Sequence, residues 1–166
     1  ETIEIYPQAF EEVIVTADRK EESILDIPMT ISAFNSQLLD TLLVRDTDKL
    51  QNLVPGLQFG DNRDGEGNSI SLRGIGTKSA GINHFDLSVA SYIDGAYTVG
   101  AYGMMPGGGF DLDRIEVARG PQGTLNGRNS IAGSINYFYK KPTPYWEYDF
   151  LLEATDVAQQ RVNIAV

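Results

Sequence analysis

The sequence predicts a small α+β domain with short helices and long loops, continued at its C-terminal end by a β-hairpin. Three observations lead there. Apolar residues recur at period two in several short runs. Two stretches place leucines at helical spacing. Glycine-rich segments at 60–68, 74–81 and 100–109 read as the loops between them. The chain of 166 residues suits one domain, and a hydrophobic content of 42% argues against global disorder. A net charge of -10 excludes a nucleic-acid surface, which needs clustered Lys and Arg. With no cysteine, disulfides and thiolate metal sites are excluded. The chain begins at Glu1 without a charged-then-apolar leader, which is compatible with a removed signal peptide but does not show one. Its stop in mid-strand at Val166 reads as that of a fragment. No stretch approaches the roughly 18–20 apolar residues of a membrane helix, so any part crossing a bilayer would be a β-barrel.

In chain order, ETIEIYPQAF reads as an extended lead-in to the β-prone run Val13-Ile14-Val15-Thr16, flanked by charged residues on both sides. Met29 to Phe34 alternates apolar with small polar residues, the pattern of a half-buried strand. Asn35 or Ser36 can cap a helix whose face of Leu38, Leu39, Leu42 and Leu43 is expected in the core. Asp46 can cap a second helix through Leu50 and Leu53, which Pro55-Gly56 stops. Ile70 to Arg73 reads as a strand leading into Gly74-Ile75-Gly76, and Asp94-Gly95 as a tight turn between two strands. Asp113 to Val117 is a further strand, and the Arg119-Gly120-Pro121 that follows cannot be helical. In the tail, Trp146, Tyr148, Phe150 and Leu152 share one face, opposite Glu147, Asp149, Leu151 and Glu153. After a turn near 155–160, Arg161 and Asn163 alternate with Val162, Ile164 and Val166. An aromatic-led, apolar-out alternation is what a lipid-facing barrel hairpin requires, and a soluble amphipathic hairpin shares it.

Enzyme chemistry finds no foothold. Nucleophilic catalysis needs a base, and the one histidine, His84, sits in a loop without a serine-partner motif. One histidine without cysteine cannot build a His-rich metal site. The glycines at 120, 123 and 127 lack the Gly-Lys-Ser/Thr ending of a phosphate loop. Asn62, Asp64 and Glu66 echo a calcium loop, but Arg73 stands where its closing Glu would be, so a solvated turn is the better reading. Asp111 and Asp113 beside Arg114 and Glu116 are expected to form a salt-bridged exposed strand. The expectation is therefore a protein with no catalytic residues, no cofactor and no bound metal of its own.

Three motifs carry a resemblance. Glu11 to Ala17 resembles the TonB box or the segment beside it, Leu72-Arg73-Gly74-Ile75-Gly76 resembles an LRG motif, and FDLDRIEVARGPQGTLNGRNSIAGSINYFYKKP at 110–142 resembles a receptor signature. Together they resemble the plug domain of TonB-dependent outer-membrane receptors over residues 11–142. Departures are Ala118 for Leu, Asn126 for an aromatic, Ala132 for a glycine, and Tyr137-Phe138-Tyr139 for an aliphatic-Thr ending. The resemblance implies an N-terminal extension at 1–20, a plug with a mixed β-sheet at 21–142, and the first hairpin of a transmembrane β-barrel at 143–166. It implies that Glu12, Val13, Ile14, Val15, Thr16 and Ala17 bind periplasmic TonB, by strand addition, or that this run is simply the first plug strand. It implies that Arg73 and Arg119, helped by Glu116 and Arg128, pair with acids of the chain's own barrel, where the alternative is pairing within the plug. Asn83, His84, Phe85, Tyr102, Met104 and Met105 would lie on loops facing a small-molecule or metal-chelate cargo, or serve as loop packing. The setting would be the outer membrane and its lipid in a Gram-negative bacterium. The cargo would be a ferric siderophore or another scarce chelate, and because carbohydrate and cobalamin importers share the architecture, those cargoes stay open as alternatives. The alternative to all this is a free-standing soluble periplasmic α+β binding module.

Overall fold

A computed structural model describes residues 14–17, 20–23, 30–60, 70–77, 88–98, 105–121, 130–146, 148–154 and 160–165. Within them the α+β expectation holds. A hairpin of β1 (Ile14–Ala17) and β2 (Lys20–Ser23) leads to β3 (Thr30–Asn35), α1 (Ser36–Thr41), α2 (Thr47–Leu53) and β4 (Leu57–Phe59). Next come β5 (Ile70–Leu72), β6 (Ile75–Thr77), β7 (Val89–Ile93) and β8 (Ala96–Tyr97). The long strands β9 (Leu112–Arg119) and β10 (Gly133–Tyr139) precede the tail hairpin of β11 (Asp149–Ala154) and β12 (Gln160–Ala165).

The main sheet has five strands in the order β3-β9-β10-β7-β8. It is mixed, because β10 runs parallel to β7 and antiparallel to β9. A second sheet stacks β4, β5 and β6 in chain order. Period-two alternation gives the main sheet two unlike faces. One carries Phe34, Ile115, Val117, Ile135, Tyr137 and Val89, which join Leu39, Leu50, Val54, Leu57 and Leu72 in the core. The other carries Arg114, Glu116, Ser134 and Asn136. The exposed strand expected at 113–117 is corrected here: β9 lies between β3 and β10, and Glu116 is 1% exposed.

Local chemistry sets the element ends. Asn35 Oδ1 accepts from Leu38 N–H at 2.9 Å, and Asp46 Oδ1 accepts from Lys49 N–H at 2.8 Å, capping α1 and α2 as their positions predict. The leucine face of α1 is another correction. Leu39 is buried, but Leu38, Leu42 and Leu43 are 40%, 43% and 55% exposed. A six-residue helix turns too few positions toward the core to bury four leucines. It ends in a Schellman motif, with Val44 N–H donating to Leu39 O at 2.8 Å and Leu43 N–H to Asp40 O at 3.1 Å. Leu43 therefore takes the left-handed position, φ 51°, where glycine is usual.

Both short hairpins close on left-handed pairs. Asp94 and Gly95 have φ 47° and 79°, the type I′ turn that their dipeptide predicts. Arg73 and Gly74 do the same with φ 54° and 77°, so the strand read through Arg73 stops at Leu72. In the tail, Phe150 pairs with Ile164 and Leu152 with Val162. Val162 and Ile164 are exposed, and the Trp146 and Tyr148 rings stack at 6.4 Å and 10°. No helix among the described residues is long and apolar enough to cross a membrane.

Candidate functional site

The N-terminal segment holds the short strand β1. Ile14 to Ala17 pair antiparallel with Ser23 to Lys20 in a two-stranded sheet of their own, so among the described residues one edge of β1 has no strand partner. Glu12 and Val13 lie outside the described residues.

The LRG hairpin and the signature strand meet. Leu72 is fully buried, and a Cβ added at Gly133 would meet its Cδ2 at 2.6 Å and overlap the Ala118 carbonyl oxygen. Only glycine permits that approach. Gly133 stands opposite Arg119 in the β9–β10 register, so Leu72 brings the LRG turn to the end of β9 where Arg119 sits. Backbone bonds hold this junction: Arg73 N–H donates to Gly56 O at 2.8 Å, Gly120 N–H to Ala132 O at 2.9 Å, and Ala132 N–H to Ser88 O at 2.8 Å.

The charges then divide by face. Arg114 Nε donates to Glu116 at 2.8 Å and Nη1 to Asp113 at 2.7 Å, while its guanidinium sits 3.9 Å over the Phe138 ring. Burial works against the charge on Arg114, but the bonds to Glu116 and Asp113 outweigh it and hold the group more basic than usual. Glu116, expected as a helper in anchoring, thus pairs with Arg114, as the salt-bridged reading of this strand expected. The signal for it was present: positions 114 and 116 share one face of a strand. Arg119 points to the other face, and its buried Nε has no hydrogen-bond partner among the described residues. Arg73 is exposed at its turn, and no side-chain bond is recorded for it among the described residues.

Of the residues expected to face cargo, Asn83, His84, Phe85, Tyr102 and Met104 lie outside the described residues, as does Arg128. Met105 follows the packing alternative and not the cargo-facing one: it is buried in the core, with its sulfur close against Gly109 of the 3-10 turn Pro106–Gly109. Among the described residues no group of His, Cys, Asp or Glu could hold a metal.

A mixed five-stranded sheet with the LRG turn seated on the signature strand is the arrangement that the resemblance to a receptor plug implies. The family model for the TonB-dependent receptor plug domain matches residues 23–134, and the chain belongs to that family. It is 32% identical over 133 residues to the catecholate siderophore receptor Fiu of Escherichia coli, covering 76% of this chain and 16% of that protein. It is 28% identical over 121 residues to the pesticin receptor of Yersinia pestis, covering 72% and 17% respectively. The solved ferric yersiniabactin uptake receptor FyuA of Yersinia pestis superposes with a TM-score of 0.60 at 25% identity, over 75% of this chain and 18% of that one. The chain thus spans about a sixth of the curated relatives' length.

Proposed function

We propose that this chain is the plug of an energy-coupled outer-membrane importer that carries a ferric siderophore. The observation that carries the reading is the junction of Leu72 with Gly133, which brings the Arg73 turn to the end of β9 at Arg119, whose buried Nε has no hydrogen-bond partner among the described residues. Plug arginines so placed are ready for bidentate pairing with carboxylates on the wall of a surrounding barrel. Arg128 assists them. Asn83, His84, Phe85, Tyr102 and Met104 supply the cargo-facing loops.

Residues 12–17 are the handle. The open edge of β1 suits strand addition by periplasmic TonB, whose pull remodels the plug and frees the cargo. The names of Fiu and the FyuA structure favour a ferric siderophore over other cargo. Residues 143–166 begin the barrel in the outer membrane of a Gram-negative bacterium. The stacked Trp146 and Tyr148 and the exposed Val162 and Ile164 supply the aromatic and apolar surface that lipid requires. Deleting residues 12–17 from the full receptor tests the assignment. Energised uptake of a radioiron-loaded catecholate siderophore is expected to stop while surface binding persists; loss of surface binding instead would overturn it.

A further inference from the structure

The second face of the main sheet carries a polar row that is buried at Glu116 and Ser134 and half-buried at Arg114 and Asn136. Register sets Arg114, Glu116 and Ala118 of β9 beside Asn35, Ala33 and Ile31 of β3 and beside Phe138, Asn136 and Ser134 of β10. Glu116 and Ser134 are buried, and Arg114 is held by two carboxylates and an aromatic ring. A buried ion pair is a weak source of stability, because desolvation offsets the attraction and apolar residues of similar volume serve as well or better. Its distinctive effect appears on opening. Water that reaches the pair restores the hydration of both charges, whereas water that reaches an apolar face meets surface it rejects. Within the sheet only β3 separates this row from the outer edge, and β3 is the sheet strand next in sequence to the N-terminal segment.

We propose that the Arg114–Glu116 pair sets how readily this polar face opens during transport, acting as a seam that water can enter once β3 is drawn aside. Glu116 then serves the interior of the plug and not the barrel wall. The inference rests on the reading of an energised plug pulled from its N-terminal segment. Arg114 and Glu116 are positioning residues, since neither touches cargo in this role.

The test uses the full-length receptor in cells given a ferric catecholate, with Ser134→Cys as a reporter on the polar face. Residues 1–166 contain no cysteine to compete with it. Maleimide labelling is followed with the proton-motive force intact and after its collapse. With the native pair, labelling is expected to be faster in energised cells. Arg114→Met combined with Glu116→Leu, an apolar replacement of similar bulk, is expected to slow energised labelling and uptake by at least about fivefold while surface binding of the ferric catecholate persists. Arg114→Lys keeps a charge but loses the planar fork that meets both acids and the ring. It is expected to label several-fold faster than the native pair in de-energised cells. Energy-dependent labelling that ignores both pair variants would overturn the seam alone. Labelling that never depends on energy, while deletion of residues 12–17 leaves uptake intact, would overturn the seam together with the pulled-plug reading.

Discussion

Replacing Arg73 with Asn should move stability and transport in opposite directions. Arg73 occupies the first central position of a type I′ turn with φ 54°, and Gly74 follows with φ 77°. Asn-Gly is the dipeptide this turn favours, while a left-handed conformation costs an ordinary L-residue about 1–2 kcal/mol. The bond from Arg73 N–H to Gly56 O is a backbone bond and survives the exchange. The exposed guanidinium has no recorded bond among the described residues to be lost. Arg73→Asn is therefore expected to stabilise the plug by about 1 kcal/mol, which for a chain of this size raises the melting temperature by roughly 2–4 °C. Thermal unfolding followed by circular dichroism measures this. If Arg73 anchors the plug to a barrel as proposed, the same exchange in the full receptor removes that anchor, and uptake of the ferric catecholate is expected to fall even as the plug grows more stable. A destabilised plug would show that the turn is not strained by arginine. Unchanged uptake would show that the charge was not the reason to tolerate the strain.

Two further exchanges probe the packing. Leu43→Gly fits the left-handed C′ position that ends α1, while Leu43 itself is 55% exposed and buries little. A gain of about 1 kcal/mol in urea denaturation is expected. Gly133→Ala drives a Cβ into the Ala118 carbonyl and against Leu72 Cδ2 at 2.6 Å, so a loss of about 1–3 kcal/mol is expected in the same measurement. No loss would mean that the LRG hairpin does not rest on the signature strand.

What was legible in the sequence was what neighbours in the chain decide. The caps at Asn35 and Asp46 and the turn at Asp94-Gly95 follow from side chains that reach only their own next turn. The leucine stripe of α1 misled because helical spacing assumes a helix long enough to lie along the core, and this one has six residues. The Arg73 turn was hidden because arginine is not a residue that announces a left-handed position. Met105 read as a loop residue because nothing local shows that Gly109, with φ 71°, leaves room for its sulfur to enter the core. The meeting of Leu72 with Gly133 depends on where two distant strands lie, and no local pattern encodes that.

The signature itself was legible as a motif but not as a division of labour. Asp113, Arg114 and Glu116 read as a salt-bridged strand and Arg119 as an anchor helped by Glu116, a pairing that changes once β9 is placed between β3 and β10. Strand alternation then separates them: an interval of two puts Arg114 and Glu116 on one face, and an interval of three puts Arg119 on the other. Arg114 is the arginine that satisfies Glu116, so Arg119 cannot be neutralised by the acid nearest to it in sequence. Its Nε stays buried without a hydrogen bond among the described residues. Leaving such a donor unmade costs about 1–3 kcal/mol or more for a charged group. A carboxylate arriving from the wall of a barrel would remove that cost only when plug and wall are joined. The same two-residue and three-residue spacing therefore joins Arg114 to Glu116 and leaves Arg119 on the opposite face, out of that acid's reach.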